Sequence, residues 1–283
     1  MTQELTAIDI HVHPADETHV KFLGRFYEHA QKYFRRKMEV VSLDETADYY
    51  RSLNMMAVLL ALDCESNFGT PPVSNDHVAA AVRKHPDVFM GFGSVDPWKG
   101  KRALQEVDRI RDLGLIGMKF HASEQAFYAN DQRFYPLWEK CAERGLPSLF
   151  HMGMCGIGAG APGGLGLKLK YVRPIPYLDD MAADFPELTI IGAHPAWPWQ
   201  DEMLAVAMHK ANVYIDLSGW SPKYFPPSLV RYTNFALGDK VLFGSDYPVL
   251  TPERWMKDFQ DAGFKKELHP KIFRENAKRL LKI

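Results

Sequence analysis

Short apolar runs recur along the chain, and each is followed by a stretch of helical periodicity. The runs cover residues 5–10, 55–62, 88–95, 115–120, 147–151, 188–193, 213–217 and 241–243. They lack the polar alternation of a half-solvated antiparallel sheet, which predicts parallel strands buried on both faces. Helices are predicted over 44–53, 75–84, 101–113, 134–144, 174–185, 199–210, 226–236, 252–261 and 270–281. An Asp at 44 is read as the cap of the first of these. In the third, Leu104, Val107, Ile110 and Arg111 fall near one side, and Gly114 and Gly145 stand where helix C-caps belong. A strand–helix unit repeated eight times predicts an α/β fold of one domain over residues 1–283, a single (β/α)8 barrel. An open doubly wound sheet is the alternative. It would carry a glycine-rich phosphate turn after the first strand, where this chain reads His-Val-His-Pro.

Two connections exceed ordinary loop lengths, 14–42 after the first strand and 153–173 after the fifth. Both would lie on the C-terminal face of the barrel, where active sites form. The first carries Phe22, Phe26, Tyr27, Tyr33 and Phe34; the second is dense in glycine, which suits a mobile segment, and the two together are expected to form a lid. A net charge of -1 favours neither nucleic acid nor an anionic membrane as partner. No apolar run is long enough to span a bilayer, and the N-terminal stretch does not read as a signal peptide. The cysteines are three and widely spaced, so nothing requires a disulfide, and a reducing, cytoplasmic compartment is expected.

The candidate chemistry stands at strand ends. His11 and His13, two apart at the end of the first strand, would face the same side and could share a metal. Alone, such a pair is a weak signal. His151 ends the fifth strand, His194 the sixth and Asp246 the eighth, and all are metal-ligand or acid–base types that barrel closure would bring together.

The segments IDIHVHP, LFHMG, GAHPAW and LFGSDYP resemble the amidohydrolase-related family, nearest the branch that contains aminocarboxymuconate-semialdehyde decarboxylase and related lactone and C–C hydrolases. The resemblance covers nearly the whole chain. It implies one divalent metal, zinc in the first place with manganese as an alternative, bound by His11, His13, His151 and Asp246. It leaves His194 unligated beside the site, with His194 and Asp246 as the proton-handling pair. Lys119 and His121, at the end of the fourth strand, are expected to bind substrate. Lys119 is read as a partner for a substrate carboxylate, in preference to the carbamylated lysine of binuclear relatives. Trp197, with Trp199 and Trp220, is read as an aromatic wall, and Arg173, with Lys168 and Lys170, as an anion clamp. No base is assignable to Cys155.

The expected activity is hydrolysis of a small acidic, ring-derived substrate at a lactone, an amide or a C–C bond next to a carbonyl. The alternatives are a non-oxidative decarboxylase and a non-catalytic metal-binding barrel. A homodimer remains open, with the aromatic residues of 14–42 as its contact.

Overall fold

The computed structural model describes residues 4–283; residues 1–3, at the head of the stretch read as lacking a signal peptide, lie outside the described residues. Eight parallel strands form one sheet in sequential order. They are β1 Ala7–Val12, β2 Met55–Leu60, β3 Phe89–Gly93, β4 Gly117–Phe120, β5 Ser148–His151, β6 Ile190–Ala193, β7 Val213–Asp216 and β8 Val241–Leu242. Each falls within, or within two residues of, a predicted run. The barrel closes where β8 and its continuation meet β1. The Ile10 N–H donates to the Phe243 carbonyl at 3.2 Å, and the Asp246 N–H to the His11 carbonyl at 3.0 Å.

Strands of this kind need cover on both faces. Outward side chains such as Phe120, Phe150 and Ile190 pack under the helices, while Ile8, Ile10, Val58, Leu60, Phe92, Leu149, Ile191 and Leu242 form a separate interior cluster. The helices begin with the expected chemistry but not always at the expected residue. Ser42, not Asp44, caps helix Leu43–Ser52, because its hydroxyl and the Glu45 carboxylate form a reciprocal capping box. Helix Lys101–Asp112 buries Ala103, Val107 and Ile110, and Arg111 does not share that buried face.

The long connection after β1 is largely helical. Asp16 caps Glu17–Leu23, and Tyr27–Tyr33 follows. Phe22 and Phe26 are packed inside the molecule and not exposed as a subunit contact. Both are 1 % exposed and pack on Phe68, Phe26 in a stack at 4.3 Å. Near its end this connection meets the glycine-rich segment, where Phe34 lies over Gly156 so closely that a Cβ there would meet the ring at 2.5 Å. No helix among the described residues is long and apolar enough to cross a membrane.

Candidate active site

The polar groups occupy one layer of the barrel interior, directly above the apolar one. Along β5, Leu149 is followed two residues later by His151; along β7, Tyr214 is followed by Asp216. Strand periodicity places such pairs on one face, one level apart. In β1 the step is adjusted by a bulge. The register with β2 slips by one residue between Asp9 and Val12, so His11 enters the interior directly after Ile10, and Asp9 turns outward to Tyr50. Gly244 of the LFGSDYP motif is required by this packing. A Cβ there would collide with the Asp216 carboxylate and come within 3.0 Å of the His11 Cβ.

The layer opens into a cavity lined by His11, His13, His19, Lys119, His121, Glu124, His151, Cys155, His194 and Asp246, with apolar walls that include Phe22, Leu23, Phe34, Leu62, Ile157 and Val249. Two of its residues, His194 (φ 71°) and Asp246 (φ 67°), have left-handed backbone conformations. Non-glycine residues rarely adopt this region, and it marks sites where side-chain placement outweighs local strain.

The tautomers follow from the neighbours. The His194 Nδ1–H donates to the Ser218 carbonyl at 3.0 Å, since that oxygen can only accept. His194 Nε2 therefore accepts, and the donor is the Nδ1–H of His151, 3.0 Å away. This leaves the lone pair of His151 on Nε2, which is buried and has no hydrogen-bond partner among the described residues. Lys119, an ammonium with no acceptor capacity, lies 3.1 Å from His11 Nε2, so His11 carries its proton on Nδ1 and donates it to Asp216 at 2.6 Å. The Ser218 hydroxyl and backbone N–H both donate to Asp216 and hold it as the acceptor of this pair. A carboxylate behind a histidine in this way orients a metal-binding ring.

Burial sets the charge states. It lowers the pKa of His13 to about 3 and of His194 to about 4, and holds His11, His121 and His151 well below the usual histidine value. Burial also lowers Lys119 to about 8 and raises Glu124 to about 7. Neutral imidazoles are what a metal requires.

Three of the four expected ligands come together: His11, His13 and Asp246 place donor atoms within 4.8 Å of one another. Asp246 Oδ1 lies 3.4 Å from His11 Nε2 and 3.3 Å from His13 Nε2. Donors about 2.0–2.1 Å from a tetrahedral zinc would be roughly 3.4 Å apart, so this triangle has the size of a metal site. His151 lies outside the triangle but lines the same cavity. Its donor falls in a second group with His121 and Cys155.

Lys119 and His121 line the cavity as expected, but Arg173 and Trp197 do not. Arg173 is exposed and forms a bidentate ion pair with Glu202, with Nη2–Oε1 at 2.6 Å. Trp197 is half exposed, with its ring 6.0 Å from that of Trp220. A rim position can be inferred from sequence, but the radial direction of a loop side chain cannot.

Asp216, Ser218, Glu124 and His19 were missed. Asp216 ends a strand as His151 does, so the same rule extended to β7 would have found it. Glu124 and His19 sit on short helices after their strands, where no periodicity marks them.

A family model described as Amidohydrolase matches residues 8–283. Over 78 residues the chain is 31% identical to a 2-amino-3-carboxymuconate-6-semialdehyde decarboxylase of Dictyostelium discoideum, which covers 27% of this chain and 22% of that protein. Over 107 residues it is 27% identical to a gamma-resorcylate decarboxylase of a Polaromonas species, covering 35% and 33% of the two chains. The matched segments thus span a third or less of these relatives. An uncharacterised TIM-barrel protein from Bordetella bronchiseptica superposes with a TM-score of 0.80 at 25% identity, over 98% of each chain. The relatives' names fit the branch that the four motifs resemble, and the chain belongs to the amidohydrolase family.

Proposed function

We propose that this protein is a metal-dependent, non-oxidative decarboxylase of a small planar acid of the aromatic or muconate type, with one divalent ion, zinc or manganese, held by His11, His13, His151 and Asp246. The observation that carries the metal is the His11–His13–Asp246 triangle, together with the unpartnered, buried Nε2 of His151. The observation that turns the reading from hydrolysis to decarboxylation is that both matched relatives are named decarboxylases. Zinc and manganese both accept imidazole and carboxylate donors. The bound ion supplies Lewis-acid stabilisation of charge developing on a substrate oxygen.

The chain's own residues supply the rest. Lys119 is the buried cation that attracts the acid, and His121 flanks it on the same side of the cavity. The apolar walls exclude water, which favours a reaction that disperses carboxylate charge. His194, its Nδ1–H anchored on Ser218, handles the proton at Nε2. In the proposed step His194, neutral at rest because burial lowers its pKa to about 4, relays one solvent proton through Nε2 to the carbon that bears the carboxylate, giving up the hydrogen bond from His151 as it does so. The C–C bond then breaks, carbon dioxide leaves, and the electron pair returns to the ring with no net redox change. Asp246, its pKa raised by burial, is the second proton carrier.

The test is turnover by metal-reconstituted protein with a panel of hydroxylated benzoates and muconate-type acids in heavy water. Release of carbon dioxide with deuterium on the vacated carbon is expected. Turnover that incorporates solvent oxygen without releasing gas would replace this reading with the hydrolytic one.

A further inference from the structure

Beside the triangle lies a second set of donors that the decarboxylation does not use as a unit. His121, His151 and Cys155 place a nitrogen or sulfur atom each within 4.8 Å of one another, and all three are buried. The His121 and His151 rings stack at 3.8 Å. Cys155 Sγ lies 3.9 Å from His121 Nε2. Nitrogen and sulfur donors about 2.0 and 2.3 Å from a tetrahedral ion would be roughly 3.6 Å apart, so this edge needs only a small contraction to hold one. His151 brings to this set its buried Nε2, whose lone pair finds no partner among the described residues and can serve either this ion or the one at the triangle, but not both. Glu124 Oε1, 3.4 Å from His121 Nε2, is available as a fourth donor.

We propose that His121, His151 and Cys155 form a second divalent-metal site, selective for thiophilic ions such as zinc or cadmium over manganese. Selectivity follows from the sulfur donor: thiolate favours soft ions, whereas carboxylate and imidazole alone suit manganese as well. Binding breaks the Cys155 S–H bond, forms a metal–sulfur bond and releases one proton to solvent, while the two neutral imidazoles release none. Burial raises the Cys155 thiol above its usual range, so without an ion the residue stays an inert thiol. His151 has only Nε2 to give, because Nδ1–H is committed to His194. A soft ion here therefore withdraws His151 from the ion held by His11, His13 and Asp246, and excess zinc is expected to inhibit manganese-loaded enzyme.

The experiment is titration of the full-length, manganese-loaded protein with cadmium, followed by the ultraviolet thiolate-to-cadmium band and by proton release. These readouts need no substrate, so they stand or fall separately from the decarboxylase reading. One equivalent is expected to saturate the band with one proton released. The band should vanish in Cys155→Ser and persist in Cys141→Ser, whose sulfur is buried elsewhere, on helix Tyr135–Glu143. His121→Asn keeps the thiol and should weaken cadmium binding at least about tenfold, so the proposal remains testable if Cys155→Ser fails to fold. Absence of the band in the parent protein, its persistence in Cys155→Ser, or unchanged affinity in His121→Asn would overturn the second site.

Discussion

Two levels of the same barrel interior, two residues apart on β5 and β7, have opposite characters. The lower level is Leu149, Ile191, Tyr214 and Leu242, joined by Ile8, Ile10, Val58 and Leu60. The upper level is His11, Lys119, His151 and Asp216, with His13, His194 and Asp246 just beyond. Both are dehydrated. In the lower level dehydration is favourable, because apolar surface leaves water. In the upper level it is costly for every charge, and the imidazoles are held neutral, with His11 hydrogen-bonded to Asp216. The comparison teaches that burial itself is the device: it stabilises the fold below and tunes protonation states above.

Changes in the upper level should therefore remove chemistry without unfolding the chain. His13→Ala is expected to abolish metal binding and to lower activity well beyond about 100-fold, the upper range for disturbing only the partner behind a ligand. Metal analysis and steady-state assays check both. Full metal occupancy in this variant would remove His13 from the ligand set. His194→Ala should keep the metal and lose about 100-fold in kcat, as expected for a proton-transfer residue; loss of the ion instead would make His194 a ligand.

The lower level should behave in the reverse way. Leu149→Ala leaves a cavity under His151 and is expected to cost about 2–5 kcal/mol of stability. The kcat of the folded, metal-loaded fraction should be close to that of the parent. Chemical denaturation beside kinetics decides it, and a stable variant with impaired turnover would show that the two levels are not separable.

Their legibility in the sequence differed as well. The lower level was visible as eight apolar runs, because a strand buried on both faces leaves a continuous signal. The upper level was visible only where a histidine or aspartate ended a run and a motif supported it, as with His11, His13, His151, His194 and Asp246. Asp216 had the same position but no motif. The β1 bulge, which turns His11 inward after Ile10, left no mark in the pattern, because hydrophobicity does not record a register slip. Arg173 and Trp197 failed for a different reason: the loops carrying them were placed on the correct face, but nothing in sequence distinguishes a side chain over the cavity from one on the outer surface.

Acid should expose the cost of the upper level. Burial lowers the folded-state pKa of six histidines, His11, His13, His19, His121, His151 and His194. For each, the unfolded chain takes a proton near pH 6.5 while the folded one refuses it. Their contribution is present above pH 6.5 and is lost as pH falls toward the folded values, about 3 for His13 and His19 and about 4 for His194. Asp9 and Glu124 oppose this, with pKa values raised by burial to about 6 and 7, because the folded state takes up their protons first, and burial shifts Asp216 in the same direction. Asp246 is shifted in the same direction. His77, raised by its hydrogen bond to Asp16, stands on the opposing side as well. The six histidines still outnumber these groups, and each net proton is worth about 1.4 kcal/mol per pH unit. The thermal midpoint of metal-free protein should therefore fall between pH 6.5 and 5. A midpoint that rises over that range would mean that the carboxyls dominate.

The smallest effect is expected at Arg173, the rim residue that the sequence suggested as an anion clamp. Its guanidinium already grips Glu202 with both oxygens engaged, and Glu202 also accepts from the Ile175 backbone N–H at 3.3 Å. These contacts tie the end of the glycine-rich connection to helix Gln200–His209 on the outside of the barrel. An exposed pair of this kind contributes little to stability. Arg173→Ala should leave KM and kcat unchanged and barely move the denaturation midpoint. Phe34→Ala is the informative contrast, because Phe34 lines the cavity and covers Gly156. Its removal should open the wall and raise KM while metal content stays the same. If Arg173→Ala instead raises KM and Phe34→Ala does not, the connection must rearrange on binding so that Arg173 releases Glu202 for the substrate carboxylate. Protease protection of residues 153–173 in the presence of substrate would then be required.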